Sequence, residues 1–463
     1  MEHIIMRIQA VAFRGFAPFA DHEIEFPVVP ATEGDCTAPS PRQLGEVHLL
    51  TGQNGTGKTR LLSLISAACG NPTELLNRLG GAADSACAFL KMSAADEVGI
   101  WGSLEATGLS ESGMILYPAG EAGHEEFWMA LLASKQGILY HNAKRESRGV
   151  RNNAFDMQSA KASLSLAFRG TSRAMDAQIV AMQPLSFGTE REDLLFDRSA
   201  KEDTLLCQSM SNLKFAAAME NLRLRGGDGG RGVAITSRLE NAISSVTGRR
   251  FAFEVHPSPE LHIKVFWGKD SMRIAELPDG LRSIIGWLVS CIAKLDAKFP
   301  EHPNPLDIPL LLLLDEPESH LHPAWQRKLI PAAQILFPNS QMFIATHSPF
   351  VISSVNHGWI HILRANADGQ VVADKPRPCS PGDTYLDVVS DILGIEEWYD
   401  PETEHLLAEF RSIRKDVIEG RNSVDHLRSK AEVIAARSAS LSNMMARELR
   451  QLDRLMVAEV AEP

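Results

Sequence analysis

Gly52-Gln53-Asn54-Gly55-Thr56-Gly57-Lys58-Thr59 sets glycines, a lysine and a hydroxyl in the order GxxxxGK[ST]. Glycines let the backbone curl so that successive N–H groups face inward toward a triphosphate. The helix that follows adds the positive end of its dipole. In such a loop Lys58 supplies a cation for the β and γ phosphates, and Thr59 offers a hydroxyl to Mg²⁺. Residues Gly52 to Thr59, with Arg60 beside them, are the expected nucleotide contacts.

A second group lies far along the chain. Five leucines, Leu310 to Leu314, run into Asp315-Glu316. Such an apolar strand is buried on both faces, as at the centre of a parallel sheet. Hydrolysis of a triphosphate needs one carboxylate to hold the metal and another to orient water in line with the γ phosphorus. Asp315 suits the first task, as the metal partner of Thr59, and Glu316 the second. Thr346-His347-Ser348 follows another apolar strand, Met342 to Ala345. A neutral imidazole there can donate to the γ phosphate or to the attacking water. Glu316, His347 and Lys58 are thus the expected catalytic set.

Leu277-Pro278-Asp279-Gly280 opens an apolar helix from Ile284 to Leu295. Its small residues expose backbone N–H groups at a helix start, an anion-binding device. This segment cannot easily reach the phosphates held by its own chain, because the two lie at element ends on different lobes. His320 and His322, with Glu318 nearby, have a spacing that zinc could use. They are read here as shaping the turn and the helix start after Asp315. Arg14, Phe16 and the tip Phe168-Arg169-Gly170-Thr171 are candidates for adenine contact, and Gln183 for a glutamine linked to the metal.

The elements that must carry these groups are legible in part. Ile5 to Phe13 and His22 to Phe26 read as strands, and Pro27 to Gly45 as a loop. Glu46 to Leu50 is a buried strand, and Leu61 to Cys69 has helical spacing. Ala83 to Leu104, Met114 to Tyr117, Gly137 to Tyr140 and Ser163 to Phe168 contain strands. Ala200 to Leu224 reads as a helix that ends in GGDGGRG. Arg250 to Val255 and Leu261 to Trp267 form a hairpin. Helices follow Asp279 and Pro323, and the chain beyond Asp400 is helical and charged. Leu406, Leu407, Phe410, Ile413, Val417 and Ile418 form one apolar stripe. Leu441, Met445, Leu449, Leu452 and Met456 form another. One of these stripes is a candidate to dock a partner, so that deleting residues 421–463 would abolish partner binding and spare ATP binding.

The order of these groups, with DEPESHLHPAWQ and then ATHSPF, resembles the AAA-type and ABC-type ATPases close to the OLD, RecF and SMC group. The likeness covers most of residues 1–350. LPDGLRSIIGWL and LGIEEWYDPETEHLLAEF look most like the PtuA-type ATPases of the Septu antiphage systems and their retron-associated relatives. The resemblance implies an α/β ABC-type P-loop fold: a mostly parallel core sheet, an antiparallel β lobe, a helical insertion and a helical C-terminal region. It implies ATP and Mg²⁺ as ligands, and a homodimer or higher homo-oligomer in which the Leu277–Gly280 segment caps the γ phosphate on the partner copy. It also implies a separate HNH nuclease, PtuB-like, as the regulated partner. The alternative is a RecF-like or SMC-like clamp that grips DNA. OLD proteins carry a nuclease domain after the ATPase, but here no Glu and DxD arrangement follows His347; Asp374, Asp387, Asp391 and Asp400 are not so spaced. No nuclease site is recognised.

The expected division is 1–70 as an N-terminal ATPase lobe with the phosphate loop and 71–250 as a β and helical insertion. Residues 251–350 complete the ATPase, and 351–463 form a mainly helical region for partner docking. The 463 residues carry a net charge of −12, so the overall field does not favour nucleic acid. A DNA contact would fall to local basic stretches: Lys144 to Arg151, Leu222 to Arg231, or Arg249 and Arg250. Cys36, Cys69, Cys87, Cys207, Cys291 and Cys379 form no CxxC pair and read as reduced thiols. No apolar run is long enough to span a membrane, and the first residues lack a secretory layout, so a cytoplasmic protein is expected.

Overall fold

A computed structural model describes residues 6–14, 17–20, 22–29, 44–68, 87–94, 97–103, 113–118, 125–126, 129, 164–169, 200–223, 230–256, 262–380, 382, 384–395 and 398–460. The chain divides into two compact units, Met1–Val388 and Val389–Pro463.

The first unit is built on a seven-stranded sheet. Its members are β3 (Glu46–Gly52), β7 (Leu164–Arg169), β11 (Leu310–Asp315), β12 (Ser340–Ala345), β13 (Gly358–Ala365), β14 (Val371–Ala373) and β15 (Arg377–Pro378). The order is β14-β13-β3-β12-β11-β7, with β15 beside β13. β13, β3, β12, β11 and β7 are parallel, while β14 and β15 pair antiparallel with β13. Leu312, Leu313, Leu314, Met342, Phe343, Ile344, Leu49 and Leu50 are all buried. That is why these strands read as unbroken apolar runs: both faces of a parallel sheet are covered, here in part by Leu61, Leu64 and Ile65 and in part by Ile8, Ile24, Phe26 and Leu90. Each such side chain contributes about 1.5–3 kcal/mol on burial. Residues 358–378, read from the sequence as part of a mainly helical region, instead extend this sheet as β13–β15.

A second sheet is antiparallel throughout. It has the order β2-β1-β4-β5-β6, from β1 (Met6–Arg14), β2 (His22–Glu25), β4 (Cys87–Ala94), β5 (Glu97–Ser103) and β6 (Gly113–Pro118). A third, of β8 (Phe251–His256), β9 (His262–Trp267) and β10 (Asp270–Arg273), contains the expected hairpin plus one further strand.

The first two sheets are joined by side-chain amides and charges. Gln341 of β12 takes the place of a strand neighbour for Ile8. Its Oε1 accepts from the Ile8 N–H at 2.9 Å and its Nε2 donates to the Ile8 carbonyl at 2.9 Å. Arg7 donates to both oxygens of Glu46, at 2.8 and 2.6 Å, and to the carbonyls of Phe26 and Pro27 at 2.7 and 2.5 Å. His48 Nε2 lies 3.1 Å from the Glu46 carboxylate, and His48 Nδ1 lies 3.0 Å from His361 Nε2. With Glu46 ionised, His48 donates through Nε2, so its Nδ1 accepts from His361. Burial pulls the Glu46 carboxyl upward, but hydrogen bonds from His48 and Arg7 outweigh it and hold the group down to about 2.

The helices of this unit are α1 (Lys58–Ala68), α2 (Ala200–Arg223), α3 (Arg231–Thr247), α4 (Asp279–Lys298), α5 (Pro323–Leu336) and two short ones, α6 (Pro349–Ile352) and α7 (Tyr385–Asp387). α3 starts at the end of the GGDGGRG break and runs through a stretch for which no element was expected. It is flanked by Gly230 and by Gly248, which has φ of 70°, and it buries Ile235, Leu239, Ile243 and Val246. Among the described residues, Cys207, Cys291 and Cys379 are buried and form no disulfide. The expected strand at Gly137–Tyr140 and the basic stretch Lys144–Arg151 lie outside the described residues. In the other basic stretches, Arg231 is held by Asp296 at 2.5 Å and by the Phe299 and His302 carbonyls. Arg249 lies over the Trp267 ring at 4.5 Å.

The second unit consists of α8 (Pro401–Ile418), α9 (Val424–Ala435) and α10 (Ala439–Val460). Leu407, Phe410 and Val417 of α8 share one core with Leu427, Ala431 and Ile434 of α9 and Leu441, Met445 and Leu452 of α10. This corrects the expectation that one apolar stripe is left for a partner. Leu406, Leu407, Phe410, Ile413 and Val417 of one stripe and Leu441, Met445, Leu449 and Leu452 of the other are packed with α9 into one core, while Ile418 is exposed, so deleting residues 421–463 would uncover the α8 stripe and would not isolate a docking function. Among the described residues, no helix is long and apolar enough to cross a membrane.

Candidate functional site

The strand order β3-β12-β11 decides which loops meet. These strands are parallel, and Leu50 is in register with Ala345, which is in register with Asp315. The phosphate loop, the Thr346–Ser348 loop and Asp315–Glu316 therefore emerge side by side at the carboxyl end of the sheet. That is where open α/β sheets bind ligands.

Gly52, Gly55 and Gly57 all have positive φ, at 145°, 84° and 81°. At Gly57 a Cβ would also meet Phe19 Cζ at 2.8 Å, so the turn before β2 closes directly on the loop. Arg60 donates to the Ala17 carbonyl in the same turn. Gln53, Asn54 and Gly55 are exposed, whereas Thr56 and Lys58 are buried. Lys58 Nζ turns into the loop and donates to the Gly52 and Gln53 carbonyls, each at 3.0 Å. Burial holds its amine down to about 8, against the pull of Glu316 and Asp315. The Thr59 hydroxyl donates to Asp315 Oδ1 at 3.0 Å.

Glu316 is exposed and has φ of 49°; His320, four residues on, has φ of 67°. Left-handed backbone at non-glycine residues costs on the order of 1–3 kcal/mol and clusters at functional sites. The Glu316 N–H donates to the Ala345 carbonyl at 2.9 Å, which ties the acidic end of β11 to the end of β12. Burial first, and then the nearby Lys58, hold His347 below its ordinary pKa, with Glu316 pulling the other way. The imidazole is neutral at pH 7.

His347 sits between two anchored neighbours. The Thr346 N–H donates to the Leu50 carbonyl at 3.1 Å, and the Thr346 hydroxyl donates to the carboxylate of Glu318. The Ser348 N–H donates to Thr346 Oγ1 at 3.0 Å, and its hydroxyl donates to Gln326 Oε1 at 2.6 Å. Glu318 is 6% exposed, and its Oε2 has no partner among the described residues. Burial pushes this carboxyl up to about 7, in spite of the Thr346 hydrogen bond. The sequence reading weighed Glu318 only as a neighbour of two histidines. Its inward aim depends on the packing of two parallel strand ends.

Leu277 is buried and Pro278 and Asp279 are exposed at the start of α4. Arg282 reaches back to the Asp279 carboxylate. Gly280 lies against the turn after β11, where an added Cβ would meet the His320 carbonyl at 2.9 Å. The segment thus packs on its own chain's post-Asp315 turn. His322 accepts from the Ala324 N–H at 3.2 Å and caps α5. Among the described residues no group of three or more His, Cys, Asp or Glu is placed to hold a metal. Arg14 ends β1, and Phe168 and Arg169 end β7, with Arg169 in register with Asp315. Phe16, Gly170, Thr171 and Gln183 lie outside the described residues.

The strand–loop–helix at Glu46–Ala68, the leucine strand ending in two acids, and the antiparallel lobe define an α/β P-loop NTPase fold. A family profile described as "AAA domain, putative AbiEii toxin, Type IV TA system" matches residues 265–353. The chain is 33% identical over 94 residues to a protein of Escherichia coli named "Retron Ec83 probable ATPase". That match covers 20% of this chain and 17% of that protein. It is 30% identical over 110 residues to "Retron Vc95 probable ATPase" of Vibrio cholerae, covering 24% and 21%. It is 27% identical over 139 residues to "Septu protein PtuA" of Bacillus thuringiensis, covering 29% and 35%. The matches therefore span about a fifth of the retron proteins and a third of the Septu protein. Among solved structures, the SMC head domain from Thermotoga maritima aligns with 80% of this chain and 98% of its own, at 12% identity and a TM-score of 0.38.

Proposed function

We propose that this chain binds and hydrolyses ATP, that two copies close on the nucleotide, and that the cycle regulates a separate effector nuclease in antiphage defence. The observation that carries the reading is the 3.0 Å hydrogen bond from Thr59 to Asp315. It joins the hydroxyl of the phosphate loop to the carboxylate of the leucine strand. Two hard oxygen donors side by side fit Mg²⁺, which takes few protein ligands and completes its shell with water and phosphate. When bound, the ion would neutralise charge on the β and γ phosphates. Similarity to retron and Septu proteins supports the defence setting.

In this reading Gly52 to Thr59 and Arg60 cradle the phosphates, and Lys58 leaves its carbonyl partners to pair with them. Glu316 orients and deprotonates the attacking water. His347, neutral at pH 7, donates a hydrogen bond to it or to the γ phosphate. Leu277 to Gly280, at the start of α4, offer N–H groups to a nucleotide held by a second copy. The HNH nuclease expected from the resemblance would dock on the Val389–Pro463 unit as a folded body, since most of its stripe residues share one core.

The test is ATP turnover by the full chain alongside Glu316→Gln. Loss of a general base slows hydrolysis by roughly 100-fold or more, and the variant should accumulate as an ATP-bound dimer by light scattering. Turnover at the wild-type rate in Glu316→Gln would remove the residue from the chemistry. A nucleotide wholly enclosed by one protomer would remove the dimer. Tight DNA binding by the chain alone, falling steeply with salt, would favour the clamp alternative.

A further inference from the structure

We infer that Glu318 is a positioning residue for hydrolysis, holding the loop of His347 in register with Glu316 through Thr346. The inference rests on the hydrolase reading above.

Five hydrogen bonds carry it. Glu318 and Glu316 belong to one tight turn, in which the Ser319 N–H donates to the Glu316 carbonyl at 3.1 Å and the Leu321 N–H to the Glu318 carbonyl at 3.0 Å. Glu318 therefore cannot shift without moving Glu316. From this turn its carboxylate accepts the Thr346 hydroxyl, whose oxygen in turn accepts the Ser348 N–H at 3.0 Å. His347 is thus bracketed by two residues that share one hydroxyl, and that hydroxyl is fixed by Glu318. The Leu50 carbonyl, two residues before the phosphate loop, holds Thr346 from the other side. Glu318 itself is buried, at 6% exposure. A side chain in that place acts through Thr346 and not by touching nucleotide.

Burying a carboxyl with one oxygen unpartnered is unfavourable, and an apolar residue would fill the same space without that cost. What a leucine could not supply is an acceptor for Thr346. Gln326 makes the parallel contact, accepting from Ser348, so both flanks of His347 are held from the segment that follows Asp315.

The test compares Glu318→Leu, Glu318→Gln and Thr346→Val in the full chain, with kcat, KM and nucleotide Kd measured for each. Misplacing a reacting group by about 1 Å costs on the order of 100-fold in rate. Glu318→Leu and Thr346→Val should each lower kcat by about 10- to 100-fold and leave nucleotide Kd within about twofold. Glu318→Gln, which keeps the acceptor, should recover kcat to within about threefold of wild type. The double variant Glu318→Leu with Thr346→Val should be no slower than Thr346→Val alone, because removing the Thr346 hydroxyl already breaks the contact to Glu318. Should Glu318→Leu fail to fold, the near-isosteric Thr346→Val still decides the matter. Wild-type kcat in Thr346→Val overturns the inference. So does a Gln variant as slow as the Leu variant, which would make the charge itself the active feature, or a loss confined to nucleotide affinity. A wild-type chain that hydrolyses no ATP overturns the hydrolase reading first, and this inference with it.

Discussion

Thr59 and Asp315, 256 positions apart in the chain, share a 3.0 Å hydrogen bond at the carboxyl end of the core sheet. Between them runs β12, so the contact forms only when three parallel strands are in register. If the pair holds Mg²⁺, Thr59→Val keeps the shape and removes one donor. The Mg²⁺ concentration for half-maximal turnover should then rise by roughly 10-fold or more, as read from a metal titration at saturating ATP. An unchanged titration would separate the pair from the metal.

Lys58 is held down to about 8 by burial in its loop. A triphosphate favours the ammonium form and draws the pKa back up. Above pH 8 nucleotide binding should therefore take up a proton, and affinity should fall as pH rises further. Calorimetry at pH 8.5 in two buffers of different ionisation enthalpy reads the uptake directly. At pH 6.5 the uptake from this group should vanish. Lys58→Ala should abolish it and weaken binding by at least tenfold, from the roughly 1.5–3 kcal/mol of a hydrogen bond to a charged group.

Gly280 has no room for a side chain against the His320 carbonyl. Gly280→Ala should lower stability by about 1–3 kcal/mol, the usual cost of overpacking, as read from chemical denaturation. It should also slow turnover more than it weakens nucleotide binding by the monomer. A variant as stable as wild type would show that the start of α4 yields freely.

The helices of Val389–Pro463 share one core around Phe410. Phe410→Ala should cost about 3–5 kcal/mol, and that loss should fall on this unit. Limited proteolysis should cut the variant within residues 389–463 well before residues 310–350 are attacked. Uniform protection would mean that the three helices are not held by that core.

The chemistry was legible because its signals are local. A strand, a curl of glycines and a helix follow one another at Glu46–Ala68, and five leucines announce the burial of β11. What was missed depends on distant neighbours. α3 begins in a glycine-rich break, and although Ile235, Leu239, Ile243 and Val246 keep helical spacing, the punctuation hid them. β13 was lost because its apolar stretch, Ile360 to Leu363, stands in a region read as helical. Glu318 reaches Thr346 across 28 positions. In the sequence the two histidines beside it draw the eye, and nothing local tells which way the carboxyl points.

Arg7 grips the Phe26 and Pro27 carbonyls with the same guanidinium that pairs with Glu46. Both shores of the Pro27-to-Glu46 segment are thus moored to a single side chain of β1. Chain can be added to or trimmed from that span at little entropic cost, since closure grows only slowly with length. The alignment of β1 with the phosphate-loop strand is in this way insulated from whatever the span acquires.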